Sequence, residues 1–439
     1  MQTRQMMAAM VAVSVVTFAN ADVSVYDVKF QPRTPWNGLV DISYSVACDD
    51  PNADIYINPT AYDGDRRITL FPKTLTGDGA ESTVKPGKHV LTWDAKKDLG
   101  VFAAANFSVK IFAGRRLPRY VVVDLSSGAD SANYPVRFSA TGPNVSNDIC
   151  RTTELWLRLV PPGEFWMGSP KDELGRNDDN EDLHHVTLTK PFYMGVFEVT
   201  QKQWELVMGD EQNPSYFSSS SNGDVCPVEN MYFKEIRGSF NEYSPSSAKV
   251  DGLSFMGKLR ARVHFDGFDL SSEARWEYAC RAGCNTALNS GKNIRGLNGD
   301  ANVDDVAWYY ANRDNGQTIS GSSVDAGTVR VGVKPANALG LYDMHGNVAE
   351  WCLDTYYWES YAQGYSYPHS NDHLGFSDAI DPEACSEGYT SNSGRRVVRG
   401  GGWRSDAKDC RAASRASWSV NQRAFDKTIG VRVCSEAGF

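Results

Sequence analysis

Nine cysteines, at positions 48, 150, 226, 280, 284, 352, 385, 410 and 434, are the residues of this sequence best able to do chemistry. A thiol becomes a nucleophile, a soft-metal ligand or half of a disulfide according to its neighbours and its compartment. Nine is odd, so at least one thiol is left free, metal-bound or shared between chains. A few disulfides plus one buried, inert thiol is the simplest reading. Cys280 and Cys284 lie one helical turn apart, but Gly283 ends a helix between them, which favours packing or separate disulfides over a vicinal metal pair. The seven histidines contain no H-E-x-x-H, and His369/His373 alone has the four-residue spacing of a metal clamp. His184 and His185 are adjacent, and neighbours on a strand point to opposite faces. The acidic run Asp178–Asp182 opens like an EF-hand loop, but Leu183 stands where glycine is required and Thr189 where the bidentate glutamate belongs. It reads as a solvated loop. Gly400-Gly401-Gly402 lacks the Lys-Ser/Thr of a phosphate cradle and reads as a close backbone approach beneath Trp403.

These residues sit in a chain of 439, 41% hydrophobic and 22% charged, with room for two cores. Lys+Arg 44 against Asp+Glu 54 gives a net charge of −10, which leaves no basic field for nucleic acid. Arg4, an apolar run from Met6 to Phe18 and the Ala19-Asn20-Ala21 site form the pattern of a secretory signal peptide over residues 1–21. No cysteine follows that site and no second long apolar run occurs, so the expected product is periplasmic or secreted, without a stable membrane anchor. An oxidising compartment of that kind lets disulfides persist.

Two textures follow. From residue 22 to about 118, runs such as Val23–Phe30, Val40–Val46, His89–Trp93 and Phe107–Phe112 alternate apolar and polar residues between turn clusters such as Lys85-Pro86-Gly87. That pattern predicts an antiparallel β-sandwich of about seven strands. Residues 119–150 are rich in Ser, Gly, Asn and Pro and read as a connection, with Tyr120–Asp124 a strand able to pack on the sandwich. From 151 to 439 the chain holds nine of its eleven tryptophans and few periodic helices. Two helices are clear. One opens with the capping box Thr200-Gln201-Lys202-Gln203, turns Trp204, Val207 and Met208 inward and stops at Gly209; the other runs from Ser272 to Gly283.

Seven segments of this second part, in order, are similar to those of the formylglycine-generating enzyme, or sulfatase-modifying-factor, family. They are Val160–Ser169, Pro191–Gln201, Cys226–Asn230, Glu273–Gly283, Asn337–Trp351, Arg399–Trp403 and Gly430–Arg432. The resemblance implies an irregular α+β fold of the C-type-lectin-like kind, so the whole chain reads as a multi-domain protein with an N-terminal all-β sandwich.

In the oxidising members of that family two cysteines hold copper(I) and convert a substrate cysteine to formylglycine. Carried onto this sequence, the two positions are Ser405 and Cys410, so the first thiol is absent. The segment Cys410–Arg415 also resembles the family's structural stretch, which implies a Cys280–Cys410 disulfide. The resemblance further implies a structural calcium ion at Asn347 and Glu350, although Ala349 replaces the family's tryptophan, and it argues against copper. Family members usually cap the second helix with a Thr-x-x-Glu box, whereas here Ser272 is followed by Arg275. The expectation is an exported, non-catalytic binding module whose loops 212–225, 285–335 and 355–395 take a carbohydrate or protein ligand. Tyr356, Tyr357, Trp358, Tyr361 and Tyr365 cluster in the last of these loops. The alternative is a copper-dependent oxidase acting on a sulfatase cysteine.

Overall fold

The computed structural model describes residues 23–100, 106–178, 180–218, 223–238, 250–312, 327–356, 379–382, 394–423 and 427–438. Alternation builds the N-terminal part. In β2 (Leu39–Cys48) Val40, Ile42, Tyr44 and Val46 are buried while Asp41 and Ser43 remain half-exposed. It lies between β1 (Val23–Pro32) and β6 (Gly87–Asp94), with β5 (Leu75–Gly77) beyond, in the order β1-β2-β6-β5. A second sheet has the order β4-β3-β7, from β3 (Tyr56–Asp63), β4 (Ile68–Leu70) and β7 (Phe107–Gly114). Both sheets feed one hydrophobic cluster that includes Ile42, Ile57, Leu91, Trp93 and Ile111. The buried Trp93 indole is satisfied by Asp98 Oδ2 at 2.7 Å.

The stretch 119–150 is more than a connection. Tyr120–Asp124 forms β8, which pairs with β10 (Glu154–Val160) and not with the N-terminal sheets, and β9 (Val136–Ser139) pairs with β8 in turn. The reason is burial on both faces: Val121 and Val123 enter one core cluster with Leu155, Leu157 and Leu159, and Val122 enters another with Trp156 and Phe197. The six-stranded sheet so formed has the order β14-β20-β13-β10-β8-β9, with β13 (Phe192–Gly195), β14 (Phe268–Asp269) and β20 (Cys434–Glu436).

Two smaller sheets complete the chain. One is β11 (Gly163–Met167), β12 (His184–Leu188) and β16 (Ala379–Ile380); the other, in the order β18-β17-β15-β19, joins Arg415–Ser419, Arg395–Arg399, Ala349–Thr355 and Ile429–Gly430. The protein is β-rich, with its helices short. The Gln201–Met208 helix carries the expected capping box, and Trp204 and Val207 are buried, but Met208 is only half-buried. A nine-residue helix, Phe255–Val263, was not expected; Ser254 caps it.

The Glu273–Arg281 helix is capped by Ser272, whose Oγ accepts from Arg275 N–H at 3.3 Å. The reciprocal carboxylate of a capping box is absent, and Asp354 Oδ2 on β15 instead satisfies a different donor of the first turn, the Glu273 N–H, at 2.6 Å.

The N-terminal sheets contact the second part through β3, β4 and the turn between them, among other segments. Thr69 Oγ1 accepts from Glu164 N–H at 2.9 Å, Tyr62 donates to Glu164 Oε2 at 3.1 Å, and the Trp166 indole donates to Arg66 O at 2.9 Å. His185, 2% exposed, takes a hydrogen bond at Nδ1 from the Arg67 guanidinium at 3.0 Å. Phe71 packs edge-on against Tyr278 at 5.6 Å.

Candidate functional site

The segment that follows β17 holds Ser405 and leads to Cys410, the two positions at which the resemblance placed the family's cysteine pair. Gly400 and Gly401 have φ of 95° and 70°, a region that favours glycine, and they let the chain turn closely over Trp276 and over Asp409 and Cys410. Trp403 is thereby buried, with its indole N–H donated to Lys427 O at 2.7 Å. Ser405 is half-buried, and its hydroxyl oxygen accepts the Gly402 N–H at 2.9 Å.

Cys410 faces away from such chemistry. It is 0% exposed, in a cluster with Ala287, Leu288, Ile294, Val303, Ala307 and Ala407, and burial pushes its thiol well above the ordinary range. A thiol held neutral in apolar surroundings is a poor nucleophile. Copper(I) takes two soft thiolates, whereas positions 405 and 410 present one hydroxyl already bonded to backbone and one sealed thiol, so these residues do not fit it.

Cys280 is likewise fully buried, and burial pushes its thiol up. Its sulfur lies 3.8 Å from His345 Nε2 and 3.5 Å from Met344 O. The eight described cysteines are all unbridged, so the Cys280–Cys410 disulfide is not formed here; Cys385 lies outside the described residues. Cys280 and Cys410 instead flank one imidazole, whose Nδ1–H donates to Cys410 O at 2.7 Å while Nε2 accepts Asn289 N–H at 3.1 Å. Burial, chiefly, lowers the His345 pKa to about 4.

Asn347 and Glu350 were expected to share a calcium ion, but their oxygens are committed to different partners. Asn347 Oδ1 accepts the Val329 N–H at 2.9 Å, and its amide nitrogen donates to Glu198 Oε2 at 2.6 Å. Glu350 is held by the Arg432 guanidinium at 2.6–3.0 Å and by the Trp276 indole at 2.7 Å. A carboxylate so paired with an internal cation and an amide turned to a backbone donor do not fit a calcium ion shared by this pair. Among the described residues no group of three or more His, Cys, Asp or Glu is placed to hold a metal.

Sequence reading did not find the charges around this pair. Glu198 is fully buried, and burial, with Asp343 and Glu350 nearby, raises its pKa well above the ordinary carboxylate value. Burial likewise raises Asp343 to about 6. The acidic run at 178–182 is also not simply solvated. Glu181 is 2% exposed and bound by Arg411 at 2.8–2.9 Å, a partner 230 residues away that no local signal could show. Glu277 is similarly locked between Arg281 and Arg399.

An aromatic surface surrounds Ser405. Phe217 meets Trp403 edge-on at 5.5 Å and Tyr216 at 5.1 Å. Lys427 lies over the Tyr216 ring and Arg404 over Trp403. Tyr310 is tied to the same turn by its N–H, which donates to Ser405 O at 3.0 Å. Tyr216 and Tyr310 are 52% and 56% exposed. They belong to the loops 212–225 and 285–335, and only the fold brings them together. Of the aromatic cluster expected in loop 355–395, Tyr356 is a brace, accepting from Asn180 Nδ2 at 2.8 Å beneath the Arg415 guanidinium. Tyr357, Trp358, Tyr361 and Tyr365, like His369 and His373, lie outside the described residues.

A family model described as "Sulfatase-modifying factor enzyme 1-like domain" matches residues 148–437. A Paenibacillus barcinonensis protein named chaperone protein LppX is 32% identical over 203 residues, 41% of this chain and 66% of that protein. The formylglycine-generating enzyme of Mus musculus is 25% identical over 224 residues, 44% of this chain and 57% of the enzyme. The inactive C-alpha-formylglycine-generating enzyme 2 of Bos taurus is 26% identical over 235 residues, 45% of this chain and 70% of that protein. This chain therefore spans less than two thirds of the length of the first two.

Proposed function

We propose, since the chain belongs to the sulfatase-modifying factor enzyme 1-like family, that it is an exported, non-catalytic member that binds a ligand or protein through the surface around Trp403. The observation that carries the reading is the donor set at 405 and 410: a serine hydroxyl bonded to Gly402 N–H, and a thiol sealed in an apolar cluster. Neither supplies the thiolate that oxidation of a substrate cysteine requires. The signal-peptide pattern of residues 1–21 supports a periplasmic or secreted location. Residues 22–118 form an accessory β-sandwich domain in this reading, and no helix of the described residues is long and apolar enough to cross a membrane.

The test is copper(I) titration of the signal-free protein against a competing chelator, together with a thiol count and an assay on a cysteine peptide of a sulfatase. The wild type is expected to bind no stoichiometric copper(I) and to leave the peptide unoxidised. Ser405→Cys is expected to gain no tight site, because its new thiol would have only the buried Cys410 as partner. One-to-one copper(I) binding by the wild type, with conversion of the peptide, overturns the reading in favour of the copper-dependent oxidase.

A further inference from the structure

Four Asn-Gly pairs occur in the chain, at 37–38, 222–223, 298–299 and 315–316, and Asn222 and Asn315 lie outside the described residues. In such a pair the backbone nitrogen of glycine reaches the asparagine side-chain amide most easily, because no Cβ crowds the approach. In a folded protein the outcome depends on what holds the two groups. The two described pairs differ in this. Gly38 is buried, a Cβ there would lie 2.6 Å from Lys96 Cβ, and its carbonyl accepts the Lys96 N–H at 3.2 Å. The Asn37 amide is held as well, since its Oδ1 accepts the Leu39 N–H at 3.1 Å. Asn298 and Gly299 are both exposed, and among the described residues neither the Asn298 side chain nor the Gly299 N–H has a hydrogen-bond partner.

The carbonyls around this second pair support the turn that carries Cys410. Leu297 O accepts the Lys408 N–H at 2.9 Å and Asn298 O accepts the Ala407 N–H at 3.1 Å, while Asp300 N–H donates to the Tyr309 hydroxyl at 2.8 Å. Ala407 and Lys408 open the short helical turn Ala407–Cys410, two residues after Ser405. A change in the backbone at Asn298 therefore acts on the segment between positions 405 and 410.

We infer that Asn298 is a site of spontaneous covalent modification, deamidation with isoaspartate formation. The Gly299 nitrogen, its proton passed to solvent hydroxide, attacks Asn298 Cγ; a C–N bond forms and the side-chain nitrogen leaves as ammonia. Water then opens the five-membered succinimide at one carbonyl or the other, giving isoaspartate or aspartate. The net change consumes one water, releases one ammonia and needs no oxidant or reductant. Isoaspartate routes the main chain through the former side chain, lengthens it by one carbon and turns the carbonyl that accepted the Ala407 N–H into a free carboxylate.

Peptide mass spectrometry of the signal-free protein, incubated for days at mildly alkaline pH, is the test. The Asn298 peptide is expected to gain the mass of an amide-to-acid exchange about tenfold faster than the Asn37 peptide, and to separate into aspartate and isoaspartate forms. In urea, where neither pair is held, the two rates are expected to converge. Gly299→Ala is expected to slow the reaction at Asn298 about tenfold by crowding the attacking nitrogen, and its new Cβ would lie 3.3 Å from Ala311 Cβ. Hydrogen exchange of the Ala407 and Lys408 amides is expected to quicken in the converted protein and to keep its starting rate in incubated Asn298→Gln. The inference is overturned by an Asn298 peptide that stays an amide in the folded protein while the urea-unfolded chain converts, by an Asn37 peptide that converts as fast, or by conversion with unchanged exchange at Ala407 and Lys408. None of these results bears on copper(I) binding, so this inference and the proposed function fail separately.

Discussion

Asp354 is buried, accepts the Glu273 N–H, and has its pKa pushed up to about 7, by burial first and by the Glu273 carboxylate second. An unfolded aspartate titrates near about 3.9, so between about pH 4 and 7 the folded chain binds the extra proton and this group's contribution to stability falls as pH rises. Asp354→Asn keeps an oxygen for the Glu273 N–H and removes the titration. The variant is expected to match the wild type near pH 4 and to exceed it by roughly 1–3 kcal/mol at pH 8, read from urea unfolding at both pH values. Equal stabilities at pH 8 would show that Asp354 carries no such cost. Arg432 presents the opposite case, a buried cation whose removal strands a carboxylate. Arg432→Met is expected to destabilise the protein by about 3–5 kcal/mol, because the Glu350 carboxylate loses its cation and, among the described residues, is left with the Trp276 indole. Replacing Glu350 with Gln in the same background should recover part of that loss, and the urea midpoints of the two variants decide it. At this scale the resemblance pointed to positions 405 and 410. It did not show that Glu181 belongs to Arg411 or Glu350 to Arg432, because ion pairs between distant segments leave no local pattern.

Among the elements, the Gln201–Met208 helix shows how much a short signal can carry. Its Thr200 Oγ1 accepts Gln203 N–H at 3.2 Å and donates to Arg151 O at 2.6 Å, while Gln203 Oε1 accepts Thr200 N–H at 3.1 Å. Thr200→Ala therefore loses a cap and a tertiary bond together and is expected to cost about 1–2 kcal/mol, with Thr200→Ser near wild type. Hydrogen exchange of the amides from Gln201 to Met208 reads the effect directly, and unchanged protection would show the cap to be redundant. Both halves of this box were legible because they lie three residues apart. The second helix has no reciprocal carboxylate at its fourth position, and another first-turn donor, the Glu273 N–H, is taken by Asp354, 81 residues on. β1, β2, β6 and β7 were legible for the same reason of locality, since period-2 alternation marks a strand with one buried face, whereas β3 and β4, buried almost throughout, carry no such alternation. Tyr120–Asp124, read as a strand in a connection and able to pack on the sandwich, pairs with β10 instead. With both faces buried it names no partner, and pairing with β10 is a long-range choice.

For the molecule as a whole, the contact between the N-terminal sheets and the rest is the feature with a measurable consequence. Phe71 sits in a hydrophobic cluster with Phe165, Tyr278 and Ala279, and the Thr69 and Arg66 contacts lie beside it. A chain beginning at Arg116 is expected to expose that cluster, lowering the thermal midpoint by several degrees and raising binding of an apolar dye. An unchanged midpoint would show that the two parts are energetically independent. By itself the sequence determined the β-rich character of the chain, two of its capped helices, and its family. Each of these is written in residues close together along the chain, where periodicity, capping and motif spacing operate. Only the tertiary structure decided that Cys410 is sealed in an apolar cluster, that Asn347 and Glu350 turn to separate partners, and that Tyr216, Tyr310, Arg404 and Lys427 meet around one turn. Those arrangements join segments far apart in sequence, and burial, ion pairing and ring contact act on distance in space.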